Sequence, residues 1–254
     1  MTVRLYAMTC GYLTMPVSML IEGGEGNLKI PIPAYLIEHK KGVALFDSGM
    51  SLLVQRDKHK ALGPLLEPFF QVHFEPGEEI AARLDSLGRD PSRVEYLINS
   101  HLHFDHAGGN ALVPNARVIV QKREWEAGHV PELIQANYYD PRDYDHGHDV
   151  LQVDGEHDVF GDGLVRCIPT HGHTPGHQSL QLQTASGVVV LCGDACYLRR
   201  TLDEMRLPGV VSDREDMMKS LHRLKELQKR GAKIMYGHDP EFWTTVPQAP
   251  EVAA

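Results

Sequence analysis

The chain has 254 residues, of which 42% are hydrophobic and 23% are charged, a composition typical of a globular protein with one sizeable core. Its formal net charge of -9 repels a polyanion on average, which argues against a nucleic-acid substrate. No stretch approaches the ~20 apolar residues that cross a bilayer, and no signal peptide is evident, so we predict a cytoplasmic protein without membrane contact. The four cysteines include no Cys-x-x-Cys pair and are expected to be small buried residues.

The first part of the chain predicts three strands, at residues 3–8, 31–37 and 43–47. Residues 11–29 are predicted to form a long loop, since they combine Met15 and Met19 with several glycines. Such a loop either folds back on the core or forms a flexible lip over an apolar substrate, because methionine adapts to variable shapes.

Further along, apolar patterns predict helices at residues 78–87, 122–127 and 213–230 and strands at residues 94–99, 118–120, 164–168, 188–191 and 234–236. Residues 52–74 hold an apolar cluster that Pro64 and Pro68 interrupt, which indicates a short helix and a loop. This segment covers the site, meets a second subunit or packs in the core. Residues 247–254 are predicted to be a disordered tail.

Residues 135–150 are polar and are interpreted as a solvated insertion near the mouth of a pocket. The sequence Asp-His-Gly-His-Asp at residues 145–149 also suggests a second metal site. The rest of the chain offers no further ligands for it, so the insertion is the preferred interpretation.

The densest group of chemically active residues is Ser-His-Leu-His-Phe-Asp-His-Ala-Gly-Gly-Asn at residues 100–110, directly after a predicted strand. Residues two apart in an extended segment point the same way, so His101 and His103 can hold one metal from the same side. Asp105 and His106 follow the turn and can face a second metal. Imidazoles with a carboxylate suit a borderline divalent ion, and a solvated histidine-rich loop is the alternative.

Three later segments also place histidine or aspartate just past a short apolar run. They are Thr-His-Gly-His-Thr-Pro-Gly-His at residues 170–177, Cys-Gly-Asp-Ala-Cys-Tyr at residues 192–197 and Tyr-Gly-His-Asp at residues 236–239. Four strand ends that meet at one edge of a sheet sandwich would build a two-metal site.

As a set, these motifs resemble the metallo-β-lactamase superfamily, and within it they are most similar to the N-acyl-homoserine lactone lactonases. The resemblance spans about residues 32–240 and implies a four-layer αββα sandwich, an α/β fold formed by one hydrolase domain over residues 1–254. Histidine at position 103, where the di-iron oxygen-reducing branch has glutamate, argues against that branch. The implied ligands are His101, His103 and His173 for the first metal, Asp105, His106 and His238 for the second, and Asp194 as the bridge between them.

The resemblance also implies a reaction, the opening of the lactone ring of N-acyl-homoserine lactones, and hence quorum quenching. The expected cofactors are two divalent ions, zinc before iron, cobalt or manganese, and a hydroxide that bridges them attacks the lactone carbonyl. Tyr197 would donate a hydrogen bond to the carbonyl oxygen, and Asp105 would pass a proton to the departing alkoxide. Asp47 resembles a position that supports the site, or is a turn residue, and His177 would support its own loop.

The expected partner is a small lactone with an apolar acyl chain, and the sequence leaves a homodimer open. The alternative function is hydrolysis of another small lactone, ester or thioester, of the pyridoxolactone or glyoxalase-II type, by the same centre. A metal-binding module without turnover and a β-lactamase are the remaining alternatives.

Overall fold

The computed structural model of the protein describes residues 2–254. The strands in this part of the chain are β1 (Arg4–Pro16), β2 (Asn27–His39), β3 (Gly42–Phe46), β4 (Gln71–His73), β5 (Tyr96–Ile98), β6 (Arg117–Gln121), β7 (Val150–Val153), β8 (His157–Asp158), β9 (Val165–Pro169), β10 (Gln178–Thr184), β11 (Gly187–Leu191) and β12 (Lys233–Met235). The helices are α1 (Val17–Leu20), α2 (Leu52–Arg56), α3 (Lys58–Leu66), α4 (Ile80–Ser86), α5 (Phe104–Ala107), α6 (Lys122–Ala127), α7 (Pro131–Ala136), α8 (Pro141–Tyr144), α9 (Arg199–Glu204), α10 (Arg214–Lys229) and α11 (Pro240–Trp243).

The strands form two sheets that pack face to face. The order in the first sheet is β4-β1-β2-β3-β5-β6-β7, and the order in the second is β12-β11-β10-β9-β8. Phe46 and Ile98 of the first sheet share an apolar cluster with Leu180 and Leu191 of the second, so this cluster is the core between the sheets. Neighbouring residues of a strand point to opposite faces, and Leu97 accordingly belongs to a different cluster from Ile98.

Helices cover the outer face of each sheet. Ile80 and Leu84 of α4 pack with Leu97 on the outside of the first sheet. Met217 and Leu221 of α10 pack on the outside of the second sheet, in a cluster with strand residues such as Val190. The layers are therefore helix, sheet, sheet and helix, which confirms the predicted αββα sandwich.

The strongest predicted helix is confirmed as α10, where the Asp213 side chain accepts a hydrogen bond from Asp216 N and caps the N-terminus. The predicted interruption of residues 52–74 is also present, since α3 kinks at Gly63, which has a φ of 63° and precedes Pro64. All four cysteines are buried and free.

The prediction of a long loop at residues 11–29 was wrong for most of its length. Strand β1 continues to Pro16, and its second half pairs with the start of β2, so that Met15 lies opposite Leu28. The prediction used glycines as loop signals, but Gly23, Gly24 and Gly26 lie in the short connection after α1, whereas Met15 lies on the paired strand β1 and Met19 lies in α1. The solvated insertion at residues 135–150 was wrong in part, because Tyr139 and Tyr144 are 7% and 2% exposed.

The C-terminal tail is ordered against β1, which corrects the predicted disorder of residues 247–254. Ala249 N donates to Ala7 O at 2.9 Å, Ala253 N donates to Leu5 O at 2.7 Å, and Leu5 N donates to Ala254 O at 3.0 Å. Ala253 is also buried. Small apolar residues carry little sequence signal for strand pairing, which explains the error.

A chain that ends at residue 247 is expected to be less stable than the full chain by about 3 kcal/mol, because each of these three hydrogen bonds contributes about 1 kcal/mol. Urea denaturation of both chains measures the difference as a lower transition midpoint at an unchanged slope. Equal midpoints would show that the tail contacts contribute nothing to stability.

Candidate functional site

The four motif-bearing segments converge because of the sheet topology. Strand β10 is antiparallel to both β9 and β11, and β11 is parallel to β12, so β9, β11 and β12 all end at the same edge of the second sheet. The segment after β5 in the first sheet joins them there, where Gln178 N donates to Ser100 O at 2.9 Å. His238 N likewise donates to Tyr197 O at 2.9 Å and links the last two segments. The prediction that these strand ends share one edge is confirmed.

The structure brings the seven predicted ligand residues together in two adjacent groups. In the first group, His103 Nδ1 lies 2.9 Å from His101 Nε2 and 3.0 Å from His173 Nε2. Asp194 Oδ2 lies 3.7 Å from His101 Nε2 and 3.4 Å from His173 Nε2. Four ligands about 2.0–2.1 Å from a tetrahedral ion are about 3.3 Å apart, so these four atoms fit one such ion.

The second group consists of Asp105, His106 and His238, and Asp194 also faces it. His106 Nε2 and His238 Nε2 are 3.3 Å apart, and Asp105 Oδ2 lies 3.6 Å from the former and 3.9 Å from the latter. Asp194 Oδ1 lies 3.2 Å from His106 Nε2 and 3.0 Å from His238 Nε2. Asp194 therefore presents one carboxylate oxygen to each group.

The environment of Asp194 fits a cation between the two groups. Within residues 2–254, its Oδ1 atom is buried and accepts no hydrogen bond, although two imidazole nitrogens are close to it. Burial opposes ionisation, but the neighbouring His106 and His238 hold the pKa of the Asp194 carboxyl well below its usual range. Burial also holds the pKa of His101 and His173 well below the usual value, so that their neutral rings have free lone pairs. The arrangement is that of a divalent-metal site.

Each of the five histidines uses its other ring nitrogen for a contact that fixes the ring. These contacts are His101 Nδ1 to Ser100 Oγ at 2.9 Å, His103 Nε2 to Asn137 O at 2.8 Å, His106 Nδ1 to Asp47 Oδ2 at 2.9 Å, His173 Nδ1 to the Tyr197 hydroxyl at 3.3 Å and His238 Nδ1 to Pro31 O at 2.8 Å. Metal-binding histidines need such partners, which set the tautomer and the orientation of the ring. Backbone carbonyls such as those of Pro31 and Asn137 have no sequence signature, so the motifs could not reveal them.

Asp47 combines both roles that the sequence left open. Its φ of 58° places it in a turn directly after β3. Its carboxylate also accepts hydrogen bonds from Ser100 N at 2.7 Å and Ser100 Oγ at 2.8 Å, beside the contact with His106. Asp47 therefore holds the start of the 100–110 motif.

The two other histidines of the same segment, His171 and His177, belong to neither ligand group. His171 Nδ1 donates to His177 O at 3.1 Å, and His177 Nε2 accepts from Asp194 N at 3.0 Å. Burial lowers the pKa of His177 to about 3, so its ring is neutral and supports the loop that carries Asp194. The assignment of His173, rather than His171, to the metal group agrees with this geometry. Residues 145–149 contribute nothing to either metal-ligand group of the described chain.

An open cavity leads to the two groups. Its floor contains His103, Asp105, His173, Asp194, Tyr197 and His238, and its walls are formed by Met15, Met19, Ile30, Leu66, Phe69, Phe70, Phe104, Tyr138 and Val210. Ligand sites commonly combine apolar walls with a few polar groups. The two predicted apolar segments, around residues 11–29 and 52–74, therefore both line the cavity.

Tyr197 lies on the cavity floor with its ring stacked on His238 at 5.5 Å between centroids. Burial raises the pKa of Tyr197 well above its usual value, so the phenol stays neutral. If His173 Nδ1 donates to the hydroxyl oxygen, the Tyr197 proton is free to bind an oxygen atom in the cavity.

A metal site at the edge of a two-sheet sandwich, open to a cavity, is an arrangement suited to metal-assisted hydrolysis. Residues 29–238 match the family described as the Metallo-beta-lactamase superfamily. The protein belongs to the metallo-β-lactamase superfamily.

Similar proteins cover nearly the whole chain. N-acyl homoserine lactonase AttM of Azorhizobium caulinodans is 34% identical over an alignment of 257 positions, which covers 98% of this chain and 97% of that protein. N-acyl homoserine lactonase AiiA of Bacillus thuringiensis subsp. kurstaki is 34% identical over an alignment of 217 positions, which covers 84% of this chain and 83% of that protein. A solved N-acyl homoserine lactone hydrolase with N-hexanoyl-L-homoserine at its catalytic metal centre has a TM-score of 0.89 and 31% identity, and the match covers 99% of this chain and 100% of that chain.

Proposed function

We propose that this protein opens the lactone ring of N-acyl-homoserine lactones and thereby quenches quorum signals. The observation that carries the proposal is the juxtaposition of the His and Asp groups and Tyr197 at the floor of an apolar cavity. Relatives that match almost the full chain are named N-acyl homoserine lactonases, and a similar structure holds the ring-opened product at its metal centre.

We propose that His101, His103 and His173 hold one divalent ion, that Asp105, His106 and His238 hold a second, and that Asp194 bridges them. Zinc suits nitrogen-rich tetrahedral groups of this size, with iron, cobalt or manganese as the alternatives. Two such ions would supply Lewis acidity and a water of lowered pKa for attack on the lactone carbonyl carbon.

The protein's own side chains would direct this hydrolysis. Tyr197 donates a hydrogen bond to the carbonyl oxygen, on which negative charge grows in the transition state. The bond between the carbonyl carbon and the ring oxygen breaks, and Asp105 passes the proton that the attacking water gives up to the departing alkoxide. Water is consumed, and at neutral pH the product carboxylic acid releases one proton per ring opened.

The apolar walls would bind the acyl chain. Phe69 lines the cavity yet is 48% exposed, so its ring is available to a chain at the mouth. Replacing Phe69 by alanine is expected to lower kcat/KM for a ten-carbon acyl chain by about 5–30-fold, since one lost aromatic contact costs about 1–2 kcal/mol. A four-carbon chain should change by less than about twofold, because it ends before the mouth.

The matched control for this prediction is Leu65→Ala. Leu65 is 52% exposed near Phe69 but is absent from the described cavity lining. Its replacement should therefore leave kcat/KM unchanged for both chain lengths. Equal losses for short and long chains in Phe69→Ala would show that the ring does not contact the acyl chain.

The function is tested by proton release from the metal-loaded protein with N-acyl-homoserine lactones of short and long chain, γ-butyrolactone and a thioester. Rapid turnover of the acylated lactones alone is the expected result. Turnover of only the thioester or the simple lactone would show that the protein is a metal-dependent hydrolase of another substrate class. No turnover of any member would favour a metal-binding module.

Three properties of the whole molecule stay predictions. We infer that residues 1–254 act as one domain, because the two sheets share a core and contribute ligands to the same site. Cell fractionation tests the predicted cytoplasmic location, and solution mass measurements test whether the protein forms a homodimer. Among residues 2–254, no helix has both the length and the apolar composition needed to span a bilayer.

A further inference from the structure

Glu124, on α6, is a fully buried carboxylate outside the two ligand groups, at 0% exposure. Its oxygens accept three hydrogen bonds from three separate segments of the chain. Oε1 accepts from Leu102 N at 3.0 Å and from the Tyr139 hydroxyl at 2.6 Å, and Oε2 accepts from Gly176 N at 2.8 Å. Burying a carboxylate is costly unless its oxygens are satisfied in this way.

All three donors belong to segments that position the first ligand group. Leu102 lies between His101 and His103, and Gly176 lies three residues after His173. The ring of Tyr139 packs on the ring of His103 at 5.5 Å between centroids. Each histidine of the first group therefore lies within three residues of a residue that donates to Glu124, or packs on one.

The turn after His173 also approaches α6 at the level of the backbone. A Cβ atom on Gly176 would lie 2.2 Å from Glu124 N, which is shorter than any acceptable non-bonded contact. The close approach explains why Gly176 N can reach the Glu124 carboxylate directly. The turn is therefore clamped to the helix by both packing and a hydrogen bond.

The second group is held differently. His106 is fixed by Asp47 and His238 by Pro31 O, and within residues 2–254 neither of them shares a hydrogen bond with Glu124. Glu124 therefore contacts only the surroundings of the first group, whereas Asp47 contacts both His106 and Ser100, the residue that fixes His101.

We propose that Glu124 is a positioning residue that sets the geometry of the first metal group and leaves the second unaffected. The inference rests on the two-metal site of the proposed function. A carboxylate is required because both of its oxygens face donors. An amide has one acceptor oxygen, so glutamine in either orientation would place its NH₂ group against a donor.

The test measures metal content in two backgrounds that isolate the groups. His238→Ala removes a ligand of the second group, and His173→Ala removes a ligand of the first. Glu124→Gln is added to each, and zinc is measured by elemental analysis after dialysis against graded concentrations of a chelator. In the His238→Ala background, Glu124→Gln should weaken zinc binding by about 10–100-fold, the usual effect of losing a residue that orients metal ligands. In the His173→Ala background, zinc binding should change by less than about threefold.

Tyr139→Phe provides a milder version of the same change, because it removes one of the three hydrogen bonds. It should also weaken zinc binding in the His238→Ala background, by less than Glu124→Gln does. Tyr144→Phe is its matched control, since Tyr144 lies in the same apolar cluster but donates to Gly128 O instead of Glu124. Glu126→Gln, on the exposed side of α6, controls for the change in charge.

Circular dichroism and thermal unfolding of the metal-free variants establish whether they are folded. If Glu124→Gln fails to fold, zinc binding by Tyr139→Phe in the His238→Ala background tests the inference instead. Unchanged zinc binding in the His238→Ala background would overturn the inference about Glu124 alone. Equal losses in both backgrounds would also overturn it, since they would indicate a general structural role. Fewer than two ions per wild-type chain would instead refute the two-metal proposal, and the inference would fall with it.

Discussion

Replacing Asp194 by asparagine is expected to abolish retention of two metals and to lower kcat/KM by more than about 100-fold, beyond the range for residues that only orient ligands. The reason is that one carboxylate serves both groups, with Oδ2 3.4 Å from His173 Nε2 and Oδ1 3.0 Å from His238 Nε2. An amide would turn its NH₂ group toward one set of imidazole nitrogens, where no cation could bind it. Asparagine also lacks the negative charge that offsets two divalent ions.

The measurement is elemental analysis of the purified variant, with proton release in the presence of an acyl-homoserine lactone. Asp145→Asn is the matched control, because Asp145 is exposed and lies outside both ligand groups of the described residues. The control should retain both metals and full activity. Two metals per chain in Asp194→Asn would refute the bridging role.

Replacing Tyr197 by phenylalanine is expected to retain both metals but to lower kcat by about 10²–10³-fold, the usual effect of losing a donor to a developing oxyanion. The phenylalanine ring preserves the stacking on His238. Only the hydroxyl is lost, and with it the hydrogen bond to the carbonyl oxygen. KM should change little, because charge on that oxygen is small in the bound substrate and large in the transition state.

Steady-state kinetics on an efficiently hydrolysed acyl-homoserine lactone, together with zinc analysis, test this prediction. Tyr236→Phe is a suitable control, since the Tyr236 hydroxyl accepts from Gln228 Nε2 at 3.4 Å and is absent from the described cavity lining. An unchanged kcat in Tyr197→Phe would remove the tyrosine from the mechanism. A loss of metal would instead indicate that its contact with His173 is needed for binding.

The two groups differ in their supports, because only the first one is linked to Glu124. His106 is held by Asp47, which directly follows β3, and His238 is held by Pro31 O, which lies within β2. The first group depends on loops and short helices that Glu124 connects. If the proposal for Glu124 is right, the two metals differ in how sensitive their affinities are to distant substitutions.

The amino-acid sequence alone predicted the candidate ligands and the layer architecture, because its motifs resemble those of the metallo-β-lactamase superfamily. Local order accounts for two further predictions: His101 and His103 share one face of an extended segment, and the stripe containing Met217 and Leu221 has a helical period. The motifs also follow apolar strands closely, so their place at strand ends could be predicted before any distance was known. What the local pattern could not indicate was the pairing of β1 beyond residue 8, since glycines around α1 suggested a loop.

Three features of the site became visible in the folded chain alone. They are the division of the Asp194 oxygens between the two groups, the partners of the outer histidine nitrogens, and the burial of Glu124 beside the first group. Each of these contacts joins residues that are far apart in sequence, as in Glu124 with Gly176 or His238 with Pro31. Several use backbone groups, which every residue carries and no motif marks. The tail at residues 248–254 is ordered for the same reason, because its order comes from pairing with the far end of the chain.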